Sequence, residues 1–362
     1  MTREKTICLF NSNRVWGGGE KWHYLTAREL KKENYKVLLI TNRKSDLYHA
    51  ALKENIQVHA LSVKNLSFLN PIKILYLVSL FRKFKVDTLI LGLSSDVKLG
   101  GIAGKIAGVR KVIYRRGSAI PVKKSLINHF IFRYILHLII ANSREIKDAL
   151  LKNNHHIITA NKIKIIYNGI DPSFFRNGQK TGKTNEDPVI LGNAGRFVEQ
   201  KGQVYLIEMA RILKSEGCSF RLLITGKGKL KKHLLKKIKQ YQLEEEIQLT
   251  DFSDNIHDFL KCIDIFVFPS LHEGSANIIL EAMAMSKPVV AFDTSSIPEL
   301  IKDKETGFLV PFKEVNDFAS KVKFLIENPT MRYKMGIKSR ERIQRNFQWN
   351  EKFNELLQVI NK

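Results

Sequence analysis

The chain has only three cysteines in 362 residues, Cys8, Cys218 and Cys262, each far from the others. They build no disulfide framework or cysteine-rich metal site, and are expected as reduced residues of a cytosolic protein. Long hydrophobic runs are also missing. The longest, 130–141, is interrupted by Arg133 and His137 and is too short to span a bilayer. The opening MTREKTICLF goes straight into a short strand, without the apolar core of a signal peptide. Acidic side chains are scarce, 35 against 60 basic ones, for a net charge of +25. Such an excess points to an anionic partner: a membrane surface, a nucleic acid or phosphorylated substrates. Aromatic stacking platforms and recognised nucleic-acid modules are lacking, which argues against a nucleic acid. The dinucleotide fingerprint Gly-x-Gly-x-x-Gly is absent after the first strand, where Trp22 interrupts the pattern.

What remains is ordinary globular composition, 44% hydrophobic and 26% charged, at a length that favours two domains with separate cores. In the first half, strands are expected at 6–10, 36–41, 58–61, 87–91, 111–114, 138–141 and 163–167. Helices at 20–32, 71–84 and 99–107 alternate with them, and Ser143 reads as a helix cap. That alternation predicts a parallel sheet covered on both faces, with ligands beyond the carboxyl ends of its strands. Asn13, Asp96 and Arg116 fall at such ends. Asp96 is either a contact for a hydroxyl of the ligand or a loop cap. Arg116 suits a phosphate or carboxylate, which a guanidinium pairs bidentately. Gly17, Gly18 and Gly19 either let the backbone approach a ligand or form a structural turn.

The segment 121–138 places apolar residues at 127, 130, 131, 134, 135 and 138 beside Lys123, Lys124 and Arg133. It reads as a core-facing helix with a solvated basic side, or as an interfacial helix on anionic lipid. The polar run 178–187 has linker composition, and the domain boundary is placed there.

The second half restarts the pattern, with strands at 189–194, 221–225, 247–249, 263–268 and 288–291. Helices are expected to 213 and at 317–327, 330–345 and 347–360. A helix after 225 carries Lys229, Lys231, Lys232, Lys236, Lys237 and Lys239 over a stripe of Leu230, Leu234, Leu235 and Ile238. The lysines form a solvated face or an anion-binding patch. Arg196 and Lys201 occupy the loop after the first of these strands, and both suit phosphate.

The stretch DIFVFPSLHEGSANIILEAM, 264–283, organises the chain. An apolar run ends at Pro269, a polar loop follows, and Gly274 and Ser275 open a helical segment expected to run through Met285. A strand–loop–helix unit of this kind points backbone N–H groups and a positive dipole end at an anion above the strand. Glu273 in the loop and Glu281, about two turns into the helix, bracket that position.

From Glu273 the sequence EGSANIILEAMAMSKPVVAFDTSSIPELI, with the later Thr-Gly-Phe-Leu-Val, resembles the signature of the family 4 glycosyltransferases. Gly195-Arg196 with Lys201-Gly202 resembles the family's donor-diphosphate motif, and 168–171 its interdomain hinge. The resemblance implies two doubly wound Rossmann-like α/β domains facing across a cleft, the GT-B architecture. Their expected extents are 1–170 and 171–346, with a helix at 347–362 crossing back onto the first. It further implies a retaining transfer of sugar from a nucleotide diphosphate to a hydroxyl, with no cofactor beyond the donor. No metal is required, since no Asp-x-Asp stands at a strand end. Arg196, Lys201 and the helix start at Gly274, Ser275 and Ala276 would meet the diphosphate. Glu281 would hold the ribose, and Glu273 would orient the sugar. Gly226 and Gly228 would approach the nucleotide, residues 251–254 its base, and Gly18 and Gly19 the diphosphate from the other domain. Arg116 stands where many members carry a histidine that contacts the sugar. A cytosolic enzyme on a glycan or lipid-linked acceptor of a bacterial surface-polysaccharide pathway follows, with peripheral contact to an anionic membrane. An epimerase or phosphorylase on the same architecture, and a polyanion-binding protein, are the rival expectations.

Overall fold

The strand Thr6–Asn11 (β1) is buried at every position. An uninterrupted apolar strand of this kind needs cover on both faces, which a parallel sheet with crossover helices supplies. The computed structural model describes residues 5–123, 125–152, 154, 157–175, 187–251 and 256–362. Contacts divide the chain into two units, Met1–Asn168 with Lys352–Lys362, and Gly169–Glu351.

The first unit continues with β2 (Lys36–Thr41), β3 (Gln57–Ala60), β4 (Val86–Leu91), β5 (Lys111–Arg116), β6 (Leu138–Ala141) and β7 (Ile163–Ile165). All pair in parallel, in the order β3-β2-β1-β4-β5-β6-β7. The second unit holds β8 (Val189–Ala194), β9 (Phe220–Thr225), β10 (Ile247–Thr250), β11 (Ile265–Phe268), β12 (Val289–Phe292) and β13 (Gly307–Val310). These are also parallel, in the order β10-β9-β8-β11-β12-β13. Both sheets are doubly wound. In each, the winding reverses between two central strands, β1 and β4 or β8 and β11, and the loops there part to leave a crevice at the carboxyl ends.

The last helix, Trp349–Asn361, ends in the first unit. There Lys111 Nζ donates to Val359 O at 2.8 Å and Lys5 Nζ to Asn361 Oδ1 at 3.0 Å.

Several sequence expectations shift. Residues 307–310, not among the expected strands, form edge strand β13 against β12. The helix expected at 20–32 begins earlier, at Gly18, so Gly18 and Gly19 lie in its first turn. The helix after β11 runs Asn277–Ala284, starting later than Gly274. Glu281 is therefore one turn into it, roughly 6 Å along the axis from Asn277. Asp96 lies in the first turn of a helix, Ser94–Ala107, not in a loop. The segment 121–138 is not one helix: Leu126–Phe130 is α-helical and Ile131–Ile135 widens to a π-turn. Leu235, expected in a buried stripe, is exposed. The linker at 178–186, Lys124 and residues 252–254 of the expected base site lie outside the described residues.

Candidate functional site

In the second unit the loops after β8 and β11 are stitched together at the switch point. Leu271 N donates to Gln200 O at 2.8 Å, and Gln200 Nε2 to His272 O at 2.6 Å. Gly202 makes this approach possible. Its φ is +65°, and a Cβ there would lie 2.0 Å from Pro269 O. A side chain would meet both strain and a backbone clash.

The stitching brings Lys201 to Glu273. Lys201 Nζ is 2.5 Å from Glu273 Oε1, and Ser270 Oγ donates to the same oxygen at 2.6 Å. Both partners are largely buried, with side-chain exposures of 16% and 8%. Lys201 Nζ also lies 5.4 Å from the Phe268 ring centroid. Ser296 Oγ donates to Glu273 O at 3.1 Å, so loops after two strands fix both ends of this residue. Arg196, in the same loop as Lys201, is exposed, and its guanidinium makes no side-chain hydrogen bond among the described residues. An exposed guanidinium without a partner among the described residues suits a phosphate oxygen.

The loop after β9 lies against the loop after β8. Phe197 N donates to Lys227 O at 2.9 Å, and a Cβ at Gly226 would sit 1.9 Å from Gly195 O. Gly228 is similarly close to Phe197 O. These glycines let two loops close on one another, which is the backbone's reason for them.

Gly274, Ser275 and Ala276 form the approach to the helix Asn277–Ala284. Ala276, its N-cap, carries no capping side chain. Glu281 is buried on this helix. Arg196, Lys201, Gly226, Gly228, Glu273 and the 274–276 approach thus all border the carboxyl ends of β8, β9 and β11.

The first unit gathers a second polar cluster at its own switch point. Glu20 Oε1 accepts from Asn11 Nδ2 and Asn13 Nδ2, both at 3.0 Å. Arg115 lies 4.9 Å from the Trp22 ring centroid and donates through Nη2 to Asn168 Oδ1 at 2.8 Å. A Cβ on Gly19 would lie 3.6 Å from Arg115 Nη1. Burial pulls the Arg115 guanidinium down to about 10, partly countered by the Glu20 charge.

Sequence reasoning singled out Arg116 and missed Arg115 and Glu20. Successive strand residues point to opposite faces. Arg116 turns away, donating to Tyr114 Oη at 2.9 Å and to Ile120 O, where it pins the following turn. Arg115 faces the cluster. The pair of arginines was visible, but the pleat that sorts them was not.

Asp96 is corrected as an acceptor contact. It is fully buried, and its oxygens accept from Ser12 Oγ (2.5 Å), Ser12 N (3.1 Å) and Leu93 N (3.2 Å). It ties the loop after β1 to the helix after β4. Burial outweighs these bonds and raises its pKa to about 7. His23, also fully buried, is lowered to about 3 by burial and by the charge of Arg115. Its Nδ1 lies 2.8 Å from Gly19 O, which only accepts, so Nδ1 carries the proton.

The two groups act on stability with opposite sign. Asp96 keeps its proton in the folded state up to about 7, against 3.8 unfolded, so its contribution is full below 3.8 and lost as pH rises through 7. His23 contributes above its unfolded value of 6.5, and that contribution is lost as pH falls through 3. Between 3.8 and 6.5 they oppose one another. Asp96→Asn should therefore lose thermal midpoint faster than the parent chain on acidification, and His23→Gln more slowly. Melting curves across that window check this; parallel profiles for all three chains would contradict it.

Two family models match: "Glycosyltransferase Family 4" over residues 16–174 and "Glycosyl transferases group 1" over 175–342. One relative is an N-acetylgalactosaminyltransferase of Campylobacter jejuni whose name specifies a diphospho-undecaprenol-linked saccharide. It is 32% identical over 60% of this chain and 59% of its own length. With several other curated relatives the chain spans about half of their length. CapM, a capsular polysaccharide biosynthesis glycosyltransferase of Staphylococcus aureus, is 26% identical over 92% of this chain and 91% of its own. The crystal structure of Anabaena HepE in complex with UDP superposes with a TM-score of 0.84, 20% identity and 99% coverage of both chains. Two parallel α/β units of this topology, matched end to end by the two models, have one reading: the chain belongs to the family 4 glycosyltransferases and has the GT-B fold.

Proposed function

We propose that this chain transfers a sugar from a nucleoside diphosphate sugar to a hydroxyl of a glycan or lipid-linked acceptor, with retention of anomeric configuration and without a metal ion. The observation that carries it is the Lys201–Glu273 pair at the β8/β11 switch point, with exposed Arg196 in the same loop as Lys201. A leaving diphosphate gathers negative charge as the glycosidic bond breaks. Lys201, Arg196 and the amides approaching Asn277 would meet that charge, in place of a metal. Glu281 would hold the ribose hydroxyls. Glu273, released from Lys201 by the incoming phosphate, would face the sugar and orient it. Gly226 and Gly228 would border the nucleotide.

In the first unit Glu20 and Arg115 are candidates for contact with the transferring sugar or acceptor, Gly18 and Gly19 for contact with the diphosphate, and Arg116 supports them by holding the 117–120 turn. The lipid-linked saccharide in the Campylobacter relative's name, and the polysaccharide pathway in that of CapM, support a surface-glycan acceptor. UDP in the Anabaena structure's title makes uridine the first base to try.

The test is incubation with a panel of nucleotide sugars and polyprenyl-diphosphate-linked saccharides, with the product's anomeric proton read by NMR. An acceptor-dependent product with the donor's configuration is expected. An inverted product would overturn retention. Turnover of the nucleotide sugar without an acceptor would favour an epimerase.

A further inference from the structure

We propose that Arg115 selects, for the crevice of the first unit, a saccharide that carries an acidic group, a carboxylate or a phosphate, over a neutral saccharide of the same shape.

Arg115 is the last but one residue of β5, and only 5% of it is exposed. A guanidinium carries five N–H donors and no acceptor. Among the described residues Arg115 makes one side-chain hydrogen bond, from Nη2 to Asn168 Oδ1, and no ion pair. Its guanidinium otherwise rests over the ring of Trp22. Buried charges are ordinarily paired, because a low-dielectric surrounding penalises an uncompensated one. Glu20 acts on Arg115 only through space, since its Oε1 is taken by Asn11 and Asn13. Burial outweighs that attraction and pulls the guanidinium down to about 10. A negative charge brought by a ligand would complete the compensation that the fold leaves unfinished.

Room for such a group lies beside Gly117. A Cβ there would be 2.9 Å from Arg115 Nη1 and 3.7 Å from Asn142 Nδ2. Two nitrogen donors, one after β6 and one on β5, thus border a space that a side chain would fill. Gly117 does not take a positive φ, so what its missing side chain provides is this space and not a special backbone conformation. Asn142 is 4% exposed and makes no side-chain hydrogen bond among the described residues; its Oδ1 is enclosed without a partner. A buried amide in that condition is costly unless a further group meets it. Gly19 leaves a second opening at the same arginine nitrogen, 3.6 Å from where its Cβ would stand.

A carboxylate or phosphate has oxygens for both donors, one for Arg115 Nη1 and one for Asn142 Nδ2. A hydroxyl could accept one of these bonds but would leave the guanidinium charge uncompensated. Trp22 and Asn168 hold the arginine fork in place beforehand, so little side-chain freedom is lost when the anion arrives. The neighbouring arginine has different work: Arg116 donates to Ile120 O and fixes the turn that carries Gly117. That the acidic group belongs to a saccharide rests on the transferase reading; that an oxyanion binds beside Gly117 does not.

The test is NMR titration of the full chain with glucose, glucuronate and glucose 6-phosphate, which share one ring and differ at C6. At least one of the acids is expected to bind at least about tenfold more tightly than glucose. Which acid does so tells whether a carboxylate or a phosphate is the natural group. Arg115→Gln should remove the preference. Gly117→Ala keeps the guanidinium and fills the space beside it, so it should also remove the preference, and it carries the test if Arg115→Gln does not fold. Lys201→Ala should retain the preference. Equal binding of all three sugars, or binding of none, would overturn the proposal. A preference that survives Gly117→Ala, or that is lost in Lys201→Ala instead, would place the anion in the second unit and overturn it too. No nucleotide or turnover enters this experiment, so its failure would leave the reading of the β8/β11 crevice standing.

Discussion

Lys201→Ala should weaken nucleoside diphosphate binding by about 10²-fold, from the loss of charge-assisted hydrogen bonds worth about 1.5–3 kcal/mol. The same change should lower the stability of the ligand-free chain. Glu273 is 8% exposed at its side chain and, among the described residues, would keep only Ser270 as a side-chain partner. An uncompensated buried carboxylate costs about 3–5 kcal/mol when fully enclosed. Lys201 retains some solvent access, so about 1–3 kcal/mol is expected here. Calorimetric titration with nucleotide and a melt of the free chain read the two effects separately. A destabilised variant with unchanged nucleotide affinity would make Lys201 a structural partner of Glu273 and nothing more.

Glu273→Gln has the opposite signature. Turnover should fall by about 10²–10³-fold, the scale of losing one preorganised charged group at a reacting centre. Nucleotide affinity should hold or tighten. In the free chain Lys201 is engaged by Glu273 at 2.5 Å, and a phosphate must compete for that ammonium. The amide competes less well than the carboxylate. Steady-state kinetics alongside nucleotide titration check the split. Should affinity collapse while turnover per bound donor persists, Glu273 would be a binding group and its proposed role at the sugar would be wrong.

The sheets were legible because buried strands are written in continuous apolar residues. Lys36–Thr41 and Val189–Ala194 were located to the residue. β13 was hidden because it is four residues long, opens on Gly307 at φ +159°, and follows turn residues. Helix starts moved in opposite directions at the two glycine-rich loops, earlier at Gly18 and later at Asn277. Glycine marks a backbone opportunity without saying on which side of it the helix begins.

The cluster at the carboxyl ends of β8, β9 and β11 was visible as a group of loop residues directly after strands, where chain order and spatial order coincide. The coupling of Lys201 to Glu273, 72 residues apart, was not. It depends on β8 and β11 being neighbours in the sheet, which the order of elements alone does not state. In the first unit the difficulty was finer. Arg115 and Arg116 differ by one position, and only the pleat decides which faces Glu20. The titration of Asp96 and His23 was beyond sequence reasoning for a related reason. Their titration follows from complete burial, not from their neighbours in the chain.

A thermal-shift series with UDP, GDP, ADP, CMP and dTDP, followed by the corresponding nucleotide sugars, tests most directly whether the β8/β11 crevice is a nucleotide diphosphate site. A ligand that binds only the folded chain stabilises it by about 2.7 kcal/mol at a hundred times its Kd. The predicted result is a clear rise in midpoint with one base, retained by its sugar and abolished in Lys201→Ala. No rise with any nucleotide at saturating concentration would contradict the reading, and would leave the basic surface, not the crevice, as the chain's binding feature.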